Sequence, residues 1–133
     1  MLRMSPYIVF NGEATAALEF YHSVFGGELT TMPFADFNSA PELDNKIMHG
    51  QLDAEGFTLM AADSPTNDSP QEKGNVTVCL WGDDPEAGRR WFDALAEGGT
   101  VGTPLEKQMW GDHYGDLTDK FGVEWSVNVS DAG

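Results

Sequence analysis

The chain has 133 residues, of which 22 are Asp or Glu and 7 are Lys or Arg, so its formal net charge is −15. This length predicts a single domain with a real core, and the acidic balance argues against nucleic acid and anionic membrane surfaces as partners. No apolar run approaches the roughly 18 residues of a membrane helix, and the start, MLRMSPYIVF, lacks the apolar region of a secretory signal. We therefore expect an acidic cytoplasmic protein.

The first half of the chain has the pattern of a strand, a helix and three strands. The strand SPYIVF precedes the turn signal Asn11-Gly12, and EATAALEFYHSVFGG has helical apolar spacing with glycines at its end. Strand-like ELTTMPF and a polar loop over 35–45 follow, and then KIMHGQLD and FTLMAAD flank a hairpin turn. The turn-rich segment SPTNDSPQEKGN is the best internal boundary. It places module one at 5–63 and a linker at 64–75.

The same pattern returns in the second half, which we assign to module two at 76–129. The strand VTVCLW leads into DDPEAGRRWFDALAEGG, a helix with Asp at its start and Pro near its first position. Three strand-like segments complete the half: TVGTPL, QMWGDHYGDLTD and VEWSVNV. A shift of 71 residues, a difference in sequence number, lays Phe10 on Trp81, and a shift of 66 lays Gly56 on Gly122. We predict an α+β fold of two βαβββ modules whose curved mixed sheets enclose a cleft.

These segments resemble, in order and spacing, the vicinal oxygen chelate superfamily of glyoxalase I, extradiol dioxygenases and bleomycin-resistance proteins. The stretches FNGEATAALEFYHSVFGGEL, IMHGQL, LMAAD and GGTVGTPLEKQMWGDHYGDLTDKFGVEWSVN resemble its PhnB-like branch, often labelled a 3-demethylubiquinone-9 3-methyltransferase domain. The resemblance runs from Tyr7 to Asn128 and implies a homodimer. Because this scaffold hosts many chemistries, it implies the fold more strongly than the activity.

In metal-dependent members, the resemblance implies His and Glu ligands on the first and fourth strands of each module. At those positions this sequence has Pro6 or Tyr7, Met60, a residue near Thr77, and Ser126. None of these side chains is a good ligand for a divalent ion, so we predict no metal at this place. No other cofactor is predicted, because the chain lacks a glycine-rich strand–turn–helix that would cradle a nucleotide-like group.

Three histidines need separate interpretation. His49, which the PhnB-like branch commonly has, shares a strand face with Ile47 and Gln51, and it is either a catalytic base in the cleft or an anchor of its strand. His22 is expected on the exposed face of its helix. His113 either lines the mouth of the cleft or is solvated. A metal site made from His49, His113 and Asp112 stays open as an alternative.

The aromatic and acidic residues near the strand ends complete the candidate site. Asp63 caps a turn or faces a ligand. Strand alternation puts Trp110, Asp112 and Tyr114 on one face, and it puts Trp125 under the helix, opposite Glu124. The predicted ligand-binding residues are His49, Met60, Asp63, Trp110, Asp112, Tyr114, Glu124, Ser126 and Asn128.

Two classes of function follow from this interpretation. The first is a metal-independent protein that binds a small molecule in its cleft, which is how the resistance proteins of the superfamily work by sequestration. The second is an enzyme. It is either a lyase, an isomerase or a dioxygenase-type enzyme whose metal ligands are relocated, or an enzyme that uses His49 as a base. A methyltransferase is a weaker alternative. The only cysteine, Cys79, is expected to be buried and inert.

Overall fold

The structure is a computed structural model that describes residues 1–37, 41–65 and 75–131. The chain divides into two compact units, residues 1–72 and 73–133, which we call the first and second unit. Within the described residues, no helix is both long and apolar enough to span a bilayer. Most of the segment predicted as a linker lies outside the described residues.

The first unit is a four-stranded mixed sheet with one helix. Its elements are β1 (Tyr7–Phe10), α1 (Ala14–Phe25), β2 (Glu28–Pro33), β3 (Ile47–Ala54) and β4 (Phe57–Asp63). Strands β1 and β4 are parallel and the other neighbours are antiparallel, in the order β1-β4-β3-β2. Two short 3₁₀ turns, Phe34–Phe37 and Pro41–Leu43, lie between β2 and β3, in the region of the predicted polar loop.

The second unit has the elements β5 (Val78–Gly82), α2 (Pro85–Ala96), β6 (Thr100–Lys107), β7 (His113–Thr118) and β8 (Glu124–Val129). Its strands have the same arrangement, in the order β5-β8-β7-β6 with β5 parallel to β8. Asp84 caps the start of α2 by accepting a hydrogen bond from the Ala87 amide at 3.1 Å. The predicted α+β class and the repeated βαβββ order are confirmed.

Glycines at related places let both units fold in the same way. Gly56 and Gly122 occupy the β3–β4 and β7–β8 turns with φ of 91° and 87°, a conformation that L side chains rarely adopt. Gly50 and Gly115 lie in the central strands β3 and β7. A Cβ atom on Gly50 would overlap Leu18 of α1, and one on Gly115 would lie 2.8 Å from the Phe92 ring of α2. The absence of a side chain in these strands therefore lets each helix pack closely on its sheet.

Each helix covers one face of its sheet and leaves the other face open. In α1 the buried residues are Ala14, Ala17, Leu18 and Tyr21. In α2, Phe92 and Leu95 are buried in the same way. Phe20 of α1 and Trp91 of α2 are only half-buried. The uncovered face, which we call the open face of each unit, carries the candidate site residues.

Two predictions for β5 are wrong. Cys79 is exposed rather than buried, and Trp81 is 81% exposed. The strand pairing explains both, because Cys79 lies beside Ser126 and Trp81 beside Asn128, on the open face. The repeat shift of 71 therefore fails in this strand: Phe10, which pairs with Asp63, is buried under the helix, and its counterpart is Gly82.

Candidate functional site

Strand β8 separates the core from the open face of the second unit. Trp125, Val127 and Val129 are buried, and the last two lie against Gly88 of α2. Because side chains alternate along a strand, Glu124, Ser126 and Asn128 take the opposite face. Their partners in β7 are Thr118, Asp116 and Tyr114. The open face of the second unit therefore carries a continuous polar surface over adjacent strands.

A depression of about 390 Å³ lies on this open face. Its volume is in the range of small-molecule pockets, about 300–1,000 Å³. Its lining is dominated by hydroxyl groups and carboxylates, which can orient a polar ligand by hydrogen bonds. The residues that carry them are Thr77, Thr100, Tyr114, Asp116, Thr118, Glu124 and Ser126.

Asp116 is the most firmly positioned carboxylate of the depression. The Tyr114 hydroxyl donates a hydrogen bond to its Oδ2 at 3.0 Å, and the Thr103 amide donates to its Oδ1 at 2.9 Å. Burial, together with the hydrogen bond and charge of Asp116, raises the pKa of Tyr114 above its ordinary value. Tyr114 therefore keeps its proton at neutral pH and holds the carboxylate in place. Asp116 was missing from the predicted set, although alternation from Tyr114 places it on the same face.

The Ser126 hydroxyl has no hydrogen-bond partner among the described residues. The residue is only 8% exposed and lines the depression. Every side-chain oxygen or nitrogen that is fully buried within the described ranges has a partner, so this hydroxyl must reach the open space of the depression. Such a group offers a bond to a ligand that the protein itself does not use.

Aromatic side chains lie on the open face where β5 and β8 end and β7 begins. Trp81 and Tyr114 flank Asn128, whose amide donates to Asp112 Oδ2 at 3.0 Å. Trp110 contacts Tyr114 edge-on, with 6.3 Å between ring centroids. The prediction that Trp110 belongs to a strand is wrong, because it lies in the turn before β7.

His113 does not join this group. Its Nε2 lies 2.8 Å from Oδ1 of Asp131, and Lys107 Nζ lies 3.3 Å from the other oxygen. A carboxylate can only accept, so Nε2 carries a proton. These hydrogen bonds, the one from His113 first, lower the pKa of Asp131. His113 therefore belongs to a hydrogen-bonded group on the surface, in which Lys107 and Asp131 form the ion pair.

A separate chain of hydrogen bonds crosses the open face of the first unit. Gln51 Nε2 donates to both carboxylate oxygens of Asp53, at 3.1 and 3.2 Å, so its Oε1 faces His49 Nε2 at 3.4 Å. That nitrogen must then donate, which leaves His49 Nδ1 to accept from the Tyr7 hydroxyl at 3.0 Å. His49 is thus held by Tyr7 of β1 and by Gln51 of its own strand. Met60 of β4 pairs with Gln51 and lies on the same face.

The open face of the first unit also has a depression, of about 350 Å³, beside this chain. Its lining includes Gln51, Asp53, Met60 and the cationic side chain of Arg3. The predicted shared face of His49 and Ile47 is wrong. A pairing irregularity lies between Met32 and Pro33, opposite these residues, and Ile47 is buried on the helix side.

Asp63 has a structural role, and its place among the ligand-binding residues needs correction. The residue is 3% exposed and lies on the helix side of β4. Its Oδ1 accepts from the amides of Gly12 and Ala14 at 2.7 and 3.0 Å, and its Oδ2 accepts from the Ile47 amide at 3.0 Å. The carboxylate therefore fixes the start of α1 to the start of β3 and the end of β4.

The family model of the Glyoxalase/Bleomycin resistance protein/Dioxygenase superfamily matches residues 3–127. The chain belongs to this superfamily. Protein YjdN of Escherichia coli K12 is 31% identical, and the match covers 95% of this chain and 94% of YjdN.

Two solved structures have a similar fold. Protein PA1353 from Pseudomonas aeruginosa is 37% identical with a TM-score of 0.88, covering 98% of this chain and 99% of that one. A PhnB protein from Bacillus cereus is 22% identical with a TM-score of 0.78, covering 97% and 100%. At that identity the PhnB protein supports the fold alone.

The superfamily's usual metal-ligand set does not fit this member. The strand register pairs Tyr7 with Met60 in the first unit and Cys79 with Ser126 in the second. The first-strand position of the second unit is therefore Cys79, two residues after the predicted neighbourhood of Thr77. Phenol, thioether, thiol and hydroxyl are not the imidazoles and carboxylates that hold a divalent ion for oxygen chemistry. Nor do the described residues bring together three His, Cys, Asp or Glu side chains that could bind a metal.

Proposed function

We propose that this superfamily member binds a small molecule on the open face of the second unit, without the usual metal. The observation that carries the proposal is the depression over β7 and β8 beside the fixed Tyr114–Asp116 pair. The Ser126 hydroxyl, which has no partner among the residues that the structure describes, opens into it. Polar groups fixed before a ligand arrives lower the cost of ordering the complex.

Other parts of the proposal rest on the sequence. The formal charge of −15 speaks against nucleic acid as a partner, because phosphates would be repelled. A homodimer is proposed on the resemblance to the superfamily, and a cytoplasmic location stays a prediction. No methyltransferase activity is proposed, since the sequence lacks a glycine-rich cradle for a nucleotide-like cofactor.

A thermal-shift screen of aromatic and charged compounds, followed by calorimetric titration, tests the proposal. A ligand at about 100 times its Kd adds about 2.7 kcal/mol to stability, which gives a clear shift of the melting temperature. We expect Tyr114→Phe and Ser126→Ala to weaken binding of a stabilising compound about tenfold, the effect of one lost hydrogen bond to a polar group.

Tyr7→Phe is the matched control, because it removes the same hydroxyl from the open face of the first unit. It should leave the Kd within about twofold, since the lost hydroxyl lies outside the proposed site. A screen without any stabilising compound would contradict the proposal. So would a compound whose Kd changes with Tyr7→Phe and stays constant in both variants of the second unit.

An enzyme that uses His49 is a second candidate, favoured by the hydrogen-bond chain of the first unit. Tyr7 and Gln51 fix the His49 ring with Nδ1 as acceptor, which makes Tyr7 and His49 a positioned acid–base pair. If this pair performs a reaction, His49→Gln and Tyr7→Phe should each abolish turnover of any substrate found. Turnover that persists in both variants would refute this candidate.

A further inference from the structure

The charge of the depression in the second unit indicates what it accepts. Asp116 and Glu124 contribute two carboxylates to the lining, and among the described lining residues none is Lys, Arg or His. Within the described chain, the hydrogen bonds to the Asp116 side chain come from two neutral donors, the Thr103 amide and the Tyr114 hydroxyl. Neutral donors orient a carboxylate and leave its charge in place. An anionic ligand would be repelled here, whereas a cation would be attracted.

Gly102 and Ser126 are small residues next to Asp116. A Cβ atom on Gly102 would lie 2.5 Å from Asp116 Oδ1, so this position of β6 tolerates only hydrogen next to the carboxylate. On the other side, Ser126 pairs directly with Asp116 across β8 and β7. Ser126 is only 8% exposed, and its hydroxyl has no partner in the described chain. This is a second observation, separate from the acidic charge, and it indicates a ligand that forms a hydrogen bond with this hydroxyl.

The neighbouring end of the same face carries two aromatic rings on either side of Asn128. Trp81 lies beside Asn128, which lies beside Tyr114, so the two rings occupy one row across three strands. Strands are about 4.8 Å apart, which puts the two ring positions about 10 Å from each other. Aromatic faces attract cations and also bury apolar groups. The aromatic row is adjacent to the row of Asp116 and Ser126, one step of alternation along the strands.

We propose that the ligand of this face is an organic cation, an ammonium group joined to an apolar or aromatic body. The ammonium group binds between Asp116 and Ser126, and the body lies against Tyr114 and Trp81. This inference rests on the proposed function and deepens it by naming the class of ligand.

The test compares three indoles with a short side chain at the same ring position: tryptamine, which ends in an ammonium group; tryptophol, its neutral alcohol; and indole-3-acetate, which ends in a carboxylate. Calorimetric titration of the full chain at neutral pH and moderate salt measures each Kd. We expect tryptamine to bind at least about tenfold more tightly than tryptophol, and indole-3-acetate more weakly still, because a charge-assisted hydrogen bond is roughly twice as strong as a neutral one. This comparison uses the wild-type protein and is independent of any folding defect in a variant.

Two variants with equal change in net charge locate the cation. Asp116→Asn should weaken tryptamine about tenfold and leave tryptophol within about twofold, whereas Asp83→Asn, at an exposed position before α2, should change neither. Circular dichroism confirms that each variant is folded. If Asp83→Asn has the same effect as Asp116→Asn, the attraction comes from the overall charge and the inference is wrong.

The remaining outcomes separate this inference from the proposed function. If the three indoles bind equally and Ser126→Ala weakens all of them, the cation is refuted while binding at this face stands. If tryptamine and simple aliphatic ammonium compounds fail to bind but another class of compound does, the result is the same. If nothing in the wider screen binds, both proposals fail.

Discussion

Replacing Asp63 with Ala should destabilise the first unit strongly. The substitution leaves three backbone amides without their acceptor, those of Gly12, Ala14 and Ile47. A buried donor without a partner costs about 1–3 kcal/mol. The bonds to Ala14 and Ile47 are buried and the bond to Gly12 is partly buried. Taking the lower half of that range for each of the three amides, the loss is about 3–6 kcal/mol, a large part of the roughly 5–15 kcal/mol by which a typical domain is stable.

Asp63→Asn measures how much of this loss of stability comes from a single backbone amide. The amide oxygen can still accept from Gly12 and Ala14, but the amide nitrogen then faces the donor of Ile47. We therefore expect a loss of about 1–3 kcal/mol, the cost of one unsatisfied donor. Urea unfolding at pH 7, followed by circular dichroism, measures both variants, and a shift of the midpoint without a change of slope shows that the native contacts account for the loss.

Asp83→Ala, at an exposed position, is the control and should stay within about 0.5 kcal/mol of the wild type. If Asp63→Ala costs less than about 1 kcal/mol, or if Asp63→Asn costs as much as Asp63→Ala, the reasoning from backbone amides is refuted. The alternative interpretation of Asp63 as a ligand residue predicts the reverse pattern, a small loss of stability with a large loss of binding.

Three further changes test other parts of the structure. Gly115→Ala should cost about 1–3 kcal/mol in urea unfolding, because the new methyl group meets the Phe92 ring and a main-chain atom of β6; an unchanged midpoint would contradict the close approach of α2. Asp84→Ala should cost about 1 kcal/mol through the lost helix cap, and Asp84→Asn much less. Because His113 lowers the pKa of Asp131, the contact adds stability that is complete above pH 3.8 and disappears as the pH falls through the lower pKa of Asp131 in the folded state. In an NMR titration, His113→Phe should raise the pKa of Asp131 toward 3.8.

The element order could be predicted because its signals are local. Apolar spacing defined the first helix, and an Asp cap, a Pro near the first position and terminal glycines defined the second. Turn glycines such as Gly56 and Gly122 marked the hairpins. The repeat supplied the rest, since two segments with the same order of elements fold into two similar sheets. Register was predicted less well: the shift of 71 placed Trp81 with Phe10, although Trp81 faces the opposite side of its sheet.

The site was predicted only where strand alternation was regular. In EWSVNV, polar and apolar residues alternate, and Glu124, Ser126 and Asn128 do share the open face. In VTVCLW almost every residue is apolar, so the sequence gives no sign that Cys79 lies on the open face of an edge strand. The role of Asp63 depends on amides up to 51 positions away in the sequence, which local spacing cannot reveal.

The four tryptophans of the chain all lie in the second unit, at positions 81, 91, 110 and 125. Trp81 and Trp110 are exposed beside the open face, whereas Trp125 is 1% exposed within the core. Indole emission shifts to longer wavelength in water, so the spectrum is a sum of a solvated and a buried population. A molecule that settles on the open face should quench the solvated population and spare the buried one, which gives the unmodified protein a built-in optical readout of occupancy.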